Sequence, residues 1–444
     1  MMDTPILDFV RTYAEKGGSR FHMPGHKGVA RLGCECWDIT EIAGADALYE
    51  AEGIIAQSER NATALFGTRR TLYSTEGSSQ CIRAMLYLAL TNKADGALPL
   101  IVAARNVHKS FVYAAALLGL DVLWLWPEES SSLCSCPVSA QQLERSLREL
   151  SAPPAAVYIT SPDYLGGMAD IPAIAKICHR YGTVLAVDNA HGAYLRFLRP
   201  SQHPMDLGAD ICCDSAHKTL PVLTGGAYLH ISRNLPRNYA ENAKAAMALF
   251  GSTSPSYLIL ASLDACNAEL AGDYGDRLQT MVGELSKLRE QLKKLGWTVE
   301  ESDPLRLTLR APKGMDAHSL ARQLAERGLE CEYADKENIV LMLTPDNTGA
   351  ELELFAETLG KNLLPYEEKA ALSLSHGERV MSIRQALFAL HESVEAEKAL
   401  GRVCGAPTVS CPPAIPIAVS GERIGEDAID LFRCYGIKTI DVLK

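Results

Sequence analysis

The sequence has no apolar run long enough to cross a membrane. Its most apolar stretch, residues 111–126, is interrupted by Gly119 and Asp121 and falls short of the roughly 18 apolar residues that a membrane helix needs. The N-terminus also lacks the basic start and following apolar run of a secretory signal. We therefore expect a soluble protein of the cytoplasm.

An excess of positive charge is also missing. The 43 Lys and Arg residues are outnumbered by 54 acidic residues, which gives a formal net charge of −11. Nucleic acids and anionic membranes are bound by clustered basic side chains, so this balance argues against both as partners. A small cationic substrate would suit the negative field.

The 13 cysteines show none of the paired C-x2-C spacing of zinc sites. We expect them to be reduced and mostly buried as small apolar side chains, and we expect no metal site. With 47% hydrophobic residues, the 444-residue chain can form two or three domains, each with its own core.

Short apolar runs alternate with amphipathic ones between about residues 70 and 230, the pattern of βα units that build a mostly parallel sheet. The predicted strands are Leu100–Ala104, Val122–Trp126, Ala155–Thr160, Thr183–Asp188, Ile211–Asp214 and Ala227–Ile231. The predicted helices are Ser79–Leu90, His108–Leu118, Gln141–Leu150 and Ile171–Tyr181. This part of the chain is therefore predicted to be a major α/β domain.

A smaller α/β domain is predicted to follow a connector helix, Pro255–Leu295, that breaks near Gly272–Gly275. Its predicted strands are Thr298–Glu301, Arg306–Arg310, Cys331–Tyr333 and Ile339–Leu343, and its predicted helices are Asp316–Arg327 and Gly349–Leu363. The predicted domain boundaries are 1–290, 291–366 and 367–444.

The last region is predicted to open with a helix, Ser382–Leu400, with Arg384, Glu392, Glu395 and Lys398 on its solvated face. The segment Cys411–Pro416 is too rich in proline for a helix or a central strand.

The strongest chemical signal is Lys218, in a segment that directly follows the predicted strand Ile211–Asp214. Parallel sheets bind their ligands at the carboxyl ends of their strands, and lysine can form a Schiff base with an aldehyde cofactor. Ser215 and His217 could donate hydrogen bonds to a phosphate. The alternative is an ordinary surface lysine after a strand.

Asp188 ends another predicted strand, 30 residues before Lys218. A carboxylate aimed at a pyridine nitrogen keeps that nitrogen protonated and makes the ring an electron sink. The alternative role for Asp188 is a helix N-cap.

Two further segments fit a phosphate cofactor. The hydroxyl-rich turn Ser74–Ser79 precedes a predicted helix and offers its N–H groups to a phosphate, although ordinary capping would explain it as well. His108 follows the strand Leu100–Ala104 and could stack on an aromatic ring, or it could be a capping or exposed histidine.

Taken together, these segments resemble the Orn/Lys/Arg decarboxylase family of pyridoxal-phosphate enzymes, which have the aspartate-aminotransferase-like fold. The resemblance covers nearly the whole chain. It is carried by residues 21–28 (FHMPGHKG), 38–41 (DITE), 105–110 (RNVHKS), 187–192 (VDNAHG), 215–221 (SAHKTLP), 411–417 (CPPAIPI) and 420–424 (SGERI). The first of these motifs and the proline-rich segment 411–417 separate the family from aminotransferases.

The resemblance implies a role for each matching residue. Lys218 would form the Schiff base with pyridoxal phosphate, Asp188 would pair with its ring nitrogen, and His108 would stack on its ring. The phosphate would be bound by Thr75, Gly77, Ser78, Ser215 and His217, while His191 would lie near the phenolic side of the ring. Ser252 and Thr253 would reach the cofactor of a neighbouring subunit in a homodimer or larger oligomer.

The implied activity is decarboxylation of arginine, lysine or ornithine, as in polyamine metabolism. The acid that binds the distal cation of the substrate stays open among Glu422, Asp163 and Glu50. The chain differs from the usual family motifs at Ala414, Ser420 and Gly225. These differences leave the cofactor-binding residues intact and concern the contacts expected with the substrate. The chain also begins almost at the family core, which implies a short form without an N-terminal wing domain. The alternatives are another enzyme of this fold, such as an aminotransferase or an aldolase, and a catalytically silent relative.

Overall fold

The structure is a computed structural model that describes residues 2–128, 132–301, 303–359, 374, 376–409 and 415–444. A seven-stranded sheet lies at its centre. The strands are β1 (Arg70–Ser74), β2 (Leu98–Ala104), β3 (Asp121–Leu125), β4 (Pro154–Thr160), β5 (Val184–Asp188), β6 (Ile211–Asp214) and β7 (Ala227–Ile231). Their spatial order is β1-β7-β6-β5-β4-β2-β3, and only β7 runs antiparallel to its neighbours. The prediction of a mostly parallel α/β sheet is confirmed.

Strand β1 is the one strand of this sheet that the sequence did not predict. Its sequence, Arg-Thr-Leu-Tyr-Ser, is largely polar, yet Thr71 and Ser74 are both buried. Thr71 Oγ1 is 2.9 Å from His230 Nδ1, and Ser74 Oγ donates to Gln80 Oε1 at 2.6 Å. Because these polar side chains find partners inside the protein, the strand is buried without an apolar pattern.

Helices surround the sheet and extend beyond it. They are α1 (Pro5–Glu15), α2 (Ile54–Phe66), α3 (Ser78–Thr91), α4 (Lys109–Leu118), α5 (Ala140–Arg148), α6 (Ile171–Arg180), α7 (Pro204–Leu207), α8 (Ala216–Thr219), α9 (Arg237–Leu249), α10 (Tyr257–Leu270) and α11 (Tyr274–Lys294). The connector is thus two helices, and the predicted break near Gly272–Gly275 is confirmed.

Both faces of the sheet are covered, as its sequence of near-continuous apolar strands requires. On β2, Ile101 and Ala103 pack into a core with α3, α4 and α9, whereas Val102 and Ala104 pack into a second core with α5 and α6. Successive side chains of a strand point to opposite faces, so one strand feeds two cores. Side chains that could contact a ligand are therefore expected at the ends of the strands, because both faces of the strands are buried.

A four-stranded antiparallel sheet follows the connector. It consists of β8 (Thr298–Val299), β9 (Arg306–Arg310), β10 (Tyr333–Ala334) and β11 (Asn338–Met342), in the order β10-β11-β9-β8, with helices α12 (Ala317–Ala325) and α13 (Gly349–Thr358). The predicted strands and helices of this unit are found within a few residues. The end of the predicted helix Gly349–Leu363 lies outside the described residues.

The predicted helix Ser382–Leu400 is wrong. Only α14 (Ile383–Leu387) is helical, and it is followed by strand β12 (His391–Glu395) and a short 3-10 helix, Ala396–Lys398. The remaining elements are β13 (Thr408–Val409), β14 (Ala418–Val419), α15 (Glu426–Cys434) and β15 (Thr439–Leu443). Strand β12 pairs with β15 at the far end of the region, a long-range contact that local periodicity cannot reveal.

The four charged residues predicted for one helix face are all exposed, but they lie on three different elements. Residues 410–414 of the proline-rich segment lie outside the described residues. None of the described helices combines the length and the apolar character needed to span a bilayer.

Candidate active site

A cleft of about 200 Å³ lies at the carboxyl ends of β2, β4, β5 and β6. Eight of the predicted site residues line it: Gly77, Ser78, His108, Asp188, His191, Ser215, His217 and Lys218. They are far apart in the sequence and meet because parallel strands end at the same edge of a sheet.

Lys218 lies on α8, directly after β6, and its Nζ is 2.7 Å from Nε2 of His191. Burial lowers the pKa of the Lys218 ammonium below its usual value, against the opposing charges of Asp188 and Glu332. The amine therefore loses its proton more readily than an exposed lysine does, as a nucleophile must.

His191 is neutral beside this lysine. Burial lowers the pKa of its imidazole well below the usual value, and the positive charges of Lys218 and Arg306 lower it further. The two nitrogens are within hydrogen-bonding distance, and a neutral ring can accept a hydrogen bond from Lys218 Nζ at Nε2. This hydrogen bond fixes the amine at one place in the cleft.

Asp188 is the last residue of β5 and is almost completely buried. Its Oδ2 accepts a hydrogen bond from the Tyr158 hydroxyl at 2.9 Å, and its Oδ1 accepts one from the Ala190 N–H at 3.2 Å. The next helical segment, a 3-10 helix, begins only at Ala193 and has Gly192 as its N-cap. Asp188 is therefore not a helix cap, and its carboxylate lines the cleft.

The first residues of α3, Ser78 and Ser79, lie at the cleft with their hydroxyl groups. The N-cap of this 14-residue helix is Gly77, which makes no side-chain capping bond, and Ser215 Oγ donates to Ser78 Oγ at 2.8 Å. A Cβ added to Gly77 would meet no described atom within 4 Å. Two hydroxyl groups and a helix N-terminus thus converge on open space, the arrangement that binds a phosphate.

His108 has the capping role that the sequence allowed, and its stacking role stays a prediction. It is the N-cap of α4, where its Nδ1 accepts a hydrogen bond from the Ser110 N–H at 3.3 Å, and it also lines the cleft. Burial lowers the pKa of its imidazole. His217 Nδ1 is hydrogen-bonded to the carbonyl oxygen of Gly226 at 3.0 Å, and this bond holds its ring at the edge of the cleft.

Three predicted residues do not line the cleft of their own chain: Thr75, Ser252 and Thr253. Thr75 is half-buried in the turn before α3. Ser252 and Thr253 are exposed, and the Ser252 N–H donates to the carboxylate of Glu76 in that turn.

The cleft also contains residues to which the sequence analysis gave no role, namely Ser79, Asn106, Val107, Cys134, Thr160, Pro162, Tyr164 and Ala190. Asn106 Oδ1 is buried and accepts no hydrogen bond from any described group, so it is available to a ligand. Asn106 follows β2, and Thr160, Pro162 and Tyr164 lie at the end of β4. The strand-end rule that found Asp188 would have found these residues as well.

The three acids considered for the substrate differ in their surroundings. Glu422 is buried against Arg105, with two contacts of 2.7 Å. Asp163 is also buried; it accepts hydrogen bonds from the Ser135 hydroxyl at 2.5 Å and from the Gly167 N–H at 2.7 Å, and it lines a neighbouring cavity of about 470 Å³ rather than the cleft. Glu50 is exposed on a short 3-10 helix.

One group of described residues has the composition of a metal site: His203, Asp214 and His230, all fully buried. Both histidine Nε2 atoms lie 3.0 Å from Asp214 Oδ2, and Asn189 Nδ2 donates to Asp214 Oδ1 at 2.7 Å. Hydrogen bonds account for each of these contacts. The network joins Asn189, which follows Asp188, to Asp214, which closes the strand before Lys218.

Comparisons with known proteins agree with this site. The model of the family described as Orn/Lys/Arg decarboxylase, major domain, matches residues 4–309. An arginine decarboxylase of Bacillus subtilis is 27% identical over 99% of this chain and 94% of its own length. An uncharacterised protein of the same organism, YaaO, is 28% identical over 99% of this chain and 95% of its own length.

Solved structures show the same fold. The lysine decarboxylase LdcF of Francisella novicida has a TM-score of 0.81 at 17% identity, and the match covers 100% of this chain and 81% of that one. The serine palmitoyltransferase of Sphingomonas wittichii matches 80% of this chain and 82% of its own, with a TM-score of 0.57 at 14% identity. Because the family model covers more than half of the sequence, the chain belongs to the Orn/Lys/Arg decarboxylase family and is a pyridoxal-phosphate-dependent amino-acid decarboxylase.

Proposed function

We propose that the protein decarboxylates arginine with pyridoxal phosphate bound in the cleft around Lys218. The observation that carries the proposal is the position of Lys218 and Asp188 at the ends of adjacent strands, with both side chains lining one cleft. Arginine is favoured over lysine because the Bacillus subtilis relative that matches almost the whole chain is an arginine decarboxylase. A relative named constitutive lysine decarboxylase, from Escherichia coli, matches 96% of this chain but at the lower identity of 21%.

The residues of the cleft fit this cofactor. An amine of lowered pKa suits its aldehyde, a buried carboxylate suits its ring nitrogen, and the hydroxyl groups of Ser78 and Ser215 at the N-terminus of α3 suit its phosphate. His108 would lie against the ring. When bound, pyridoxal phosphate supplies an electron sink for the electron pair that is left when the bond between Cα and the carboxylate breaks.

The side chains of the chain have three tasks in this reaction. Asp188, held by Tyr158, would keep a proton on the ring nitrogen of the cofactor, and its burial would exclude water from that contact. Lys218 Nζ and His191 Nε2 are 2.7 Å apart, so a proton can pass between them without rearrangement. Asn106 Oδ1 can accept a hydrogen bond from a donor in the cleft.

The reaction is tested by measuring CO2 release from arginine, lysine and ornithine with the purified protein loaded with pyridoxal phosphate. We expect arginine to give the highest kcat/KM. If CO2 were released only from lysine or ornithine, the proposed reaction would stand and the proposed substrate would be wrong. No release from any of the three, together with transamination or aldol cleavage, would move the protein to another reaction of this fold.

We also propose that the protein is a homodimer. Its N-terminal segment exposes a group of apolar side chains, with Phe21 at 97% and Leu32 at 88% exposure and with Met23 and Val29 nearby in sequence. Contiguous exposed apolar surface is typical of protein interfaces. Ser252 and Thr253 would then serve the cofactor of the partner. Light scattering on the purified holoprotein tests the assembly, and a monomeric mass would refute it.

The proposed setting is the cytoplasm, where the amine product enters polyamine metabolism. It is supported by the cysteines, because every described one is a free thiol, as is usual in a reducing compartment. Fractionation of the native host, with an antibody against the protein, tests the compartment.

A further inference from the structure

Tyr164 and Glu332 form a contact between the major sheet and the smaller one beside the cleft. Tyr164 follows β4 and lines the cleft, and Glu332 directly precedes β10. The Tyr164 hydroxyl donates to Glu332 Oε1 at 3.0 Å. A carboxylate of the smaller unit is thereby held next to the cleft that contains Lys218.

Tyr164 is held in place by its surroundings. Its backbone carbonyl oxygen accepts a hydrogen bond from Arg306 Nη1 at 3.1 Å. Its ring lies 5.6 Å from the ring of His191 and 5.2 Å from the ring of Tyr333, measured between centroids. Since His191 also binds Lys218, a continuous set of contacts runs from the reactive amine through two rings to Glu332.

Glu332 can accept more hydrogen bonds than it receives from Tyr164. It is exposed, and an ionised carboxylate has about four acceptor positions. Its charge also reaches into the cleft, because after Asp188 it is the carboxylate that most strongly opposes the lowered pKa of Lys218. A cation bound beside Lys218 would be attracted by the same negative charge of Glu332.

The other acids near the site already have strong partners. Asp163 receives hydrogen bonds from Ser135 and from two backbone N–H groups. Glu422 is paired with Arg105, and Asp188 is needed at the ring nitrogen. Using Asp163 or Glu422 for a substrate cation would cost the buried contacts that each now makes.

We propose that Glu332 binds the distal cationic group of the substrate, while the ring of Tyr164 packs along its methylene groups. This inference rests on the proposed function. A guanidinium suits the site, because it can pair with the carboxylate through two N–H groups and stack on an aromatic face. Glu332 is in this view a determinant of specificity for basic side chains and takes no part in breaking the Cα bond.

The test compares Glu332→Gln with Glu330→Gln in the holoenzyme. Neither glutamate lines the cleft itself, but Glu332 accepts the hydrogen bond from Tyr164, so Glu330→Gln removes the same charge two residues away without breaking that contact. We expect Glu332→Gln to raise the KM for arginine about tenfold with little change in kcat, because a charged hydrogen bond is lost equally from the ground state and the transition state. Glu330→Gln should behave as the wild type.

Two further measurements separate recognition of charge from a structural defect. The Kd of agmatine, the amine product of arginine, measured by calorimetry on the holoenzyme, should rise about as much as the KM in Glu332→Gln. Citrulline, which has the shape of arginine without its charge, should compete equally weakly with both variants. Tyr164→Phe keeps the ring and removes the donor to Glu332, so it should raise the KM by less than Glu332→Gln does.

The two proposals fail in different ways. If the wild type releases CO2 from arginine and the KM and agmatine Kd of Glu332→Gln equal those of Glu330→Gln, Glu332 is not the cation site. If Glu332→Gln loses kcat or bound cofactor instead, its role is structural and the inference is also overturned. If the wild type acts on none of the three basic amino acids, the proposed function fails first and the inference falls with it.

Discussion

Arg105 and Glu422 form a buried, two-point ion pair between the end of β2 and the C-terminal region. Each terminal nitrogen of the guanidinium lies 2.7 Å from one carboxylate oxygen, and the side chains are 0% and 8% exposed. Trp124 and Trp126 flank the guanidinium, with ring centroids 4.8 and 4.4 Å from Cζ. Because Arg105 precedes Asn106 of the cleft, the C-terminal region holds one wall of the active site in place.

Removing one partner of this pair should be costly. We expect Glu422→Gln to lower the free energy of unfolding by about 3 kcal/mol, because it leaves the Arg105 charge buried without its counter-charge. Glu392→Gln is the matched control, since it breaks the exposed pair with Arg402 in the same region and should cost less than about 1 kcal/mol. Urea titration of both variants measures the difference, and equal midpoints would contradict the expected role of the buried pair.

The sequence predicted much of this site because its chemistry lies at strand ends. Lys218 and Asp188 each follow an apolar strand, so their convergence could be derived from the alternation of strands and helices alone. The contact between Tyr164 and Glu332 could not, because it depends on how the small unit packs against the large one. Likewise, Glu422 resembled a substrate ligand in sequence, and only the packing of the C-terminal region shows that Arg105 occupies it.

The carboxylate of Asp188 should be needed for its charge rather than for its shape. Asp188→Asn keeps an oxygen that can accept the Tyr158 hydroxyl, but it removes the negative charge that would hold a proton on the cofactor nitrogen. We expect kcat to fall at least about a hundredfold, as when a preorganised electrostatic contact is removed from an active site. Tyr158→Phe removes the hydrogen bond to Asp188 and is the milder substitution. It should reduce kcat less, because the charge of Asp188 remains.

Cofactor content must be measured alongside this comparison. The visible absorbance of the bound cofactor should remain in Asp188→Asn, since Lys218 and the phosphate-binding turn are unchanged. If Asp188→Asn retains full kcat with normal cofactor content, Asp188 does not perform the role assigned to it here.

Stability should decline as the pH falls from about 7 to about 5, because of buried neutral histidines. Burial lowers the pKa of His230, and burial has the same effect on His191 and His108. In the unfolded chain a histidine takes up a proton near pH 6.5, whereas these folded-state rings do so only at lower pH. The unfolded state therefore binds more protons over this range, and protonation favours unfolding.

Asp214, which is hydrogen-bonded to His203 and His230, affects stability in a lower pH range than the histidines do. Burial opposes the ionisation of Asp214, but the two histidines beside it outweigh burial and lower its pKa. Its contribution to stability is present above the unfolded value of about 3.8 and is lost only as the pH falls below that value. Urea midpoints should therefore fall between about pH 7 and pH 5 in the wild type and change less in His230→Gln. An equal change of the midpoint in wild type and His230→Gln would contradict the neutral state of this ring, because buried carboxylates with raised pKa values affect both proteins alike.

The exposed segment after α9 offers a test of the shared active site. If Ser252 lies near the phosphate of the partner's cofactor, a negative charge there will repel that phosphate, although the residue does not line the cleft of its own chain. We expect Ser252→Glu to lower the affinity for pyridoxal phosphate about tenfold or more at low salt, with the dimer intact. Ser254→Glu is the control, because Ser254 is exposed two residues further along.

Mixing variants then shows whose cofactor Ser252 serves. Lys218→Ala cannot bind the cofactor covalently, whereas Ser252→Glu has a normal lysine but would weaken the site of its partner. In a mixed dimer, one site combines the native Lys218 of one subunit with the native Ser252 of the other, so mixing should restore activity to about a quarter of the wild-type sites. If Ser252 served the cofactor of its own chain, the subunit with the native lysine would keep its defect in the mixed dimer. Mixing would then restore nothing, and the exchange of residues between subunits would be excluded.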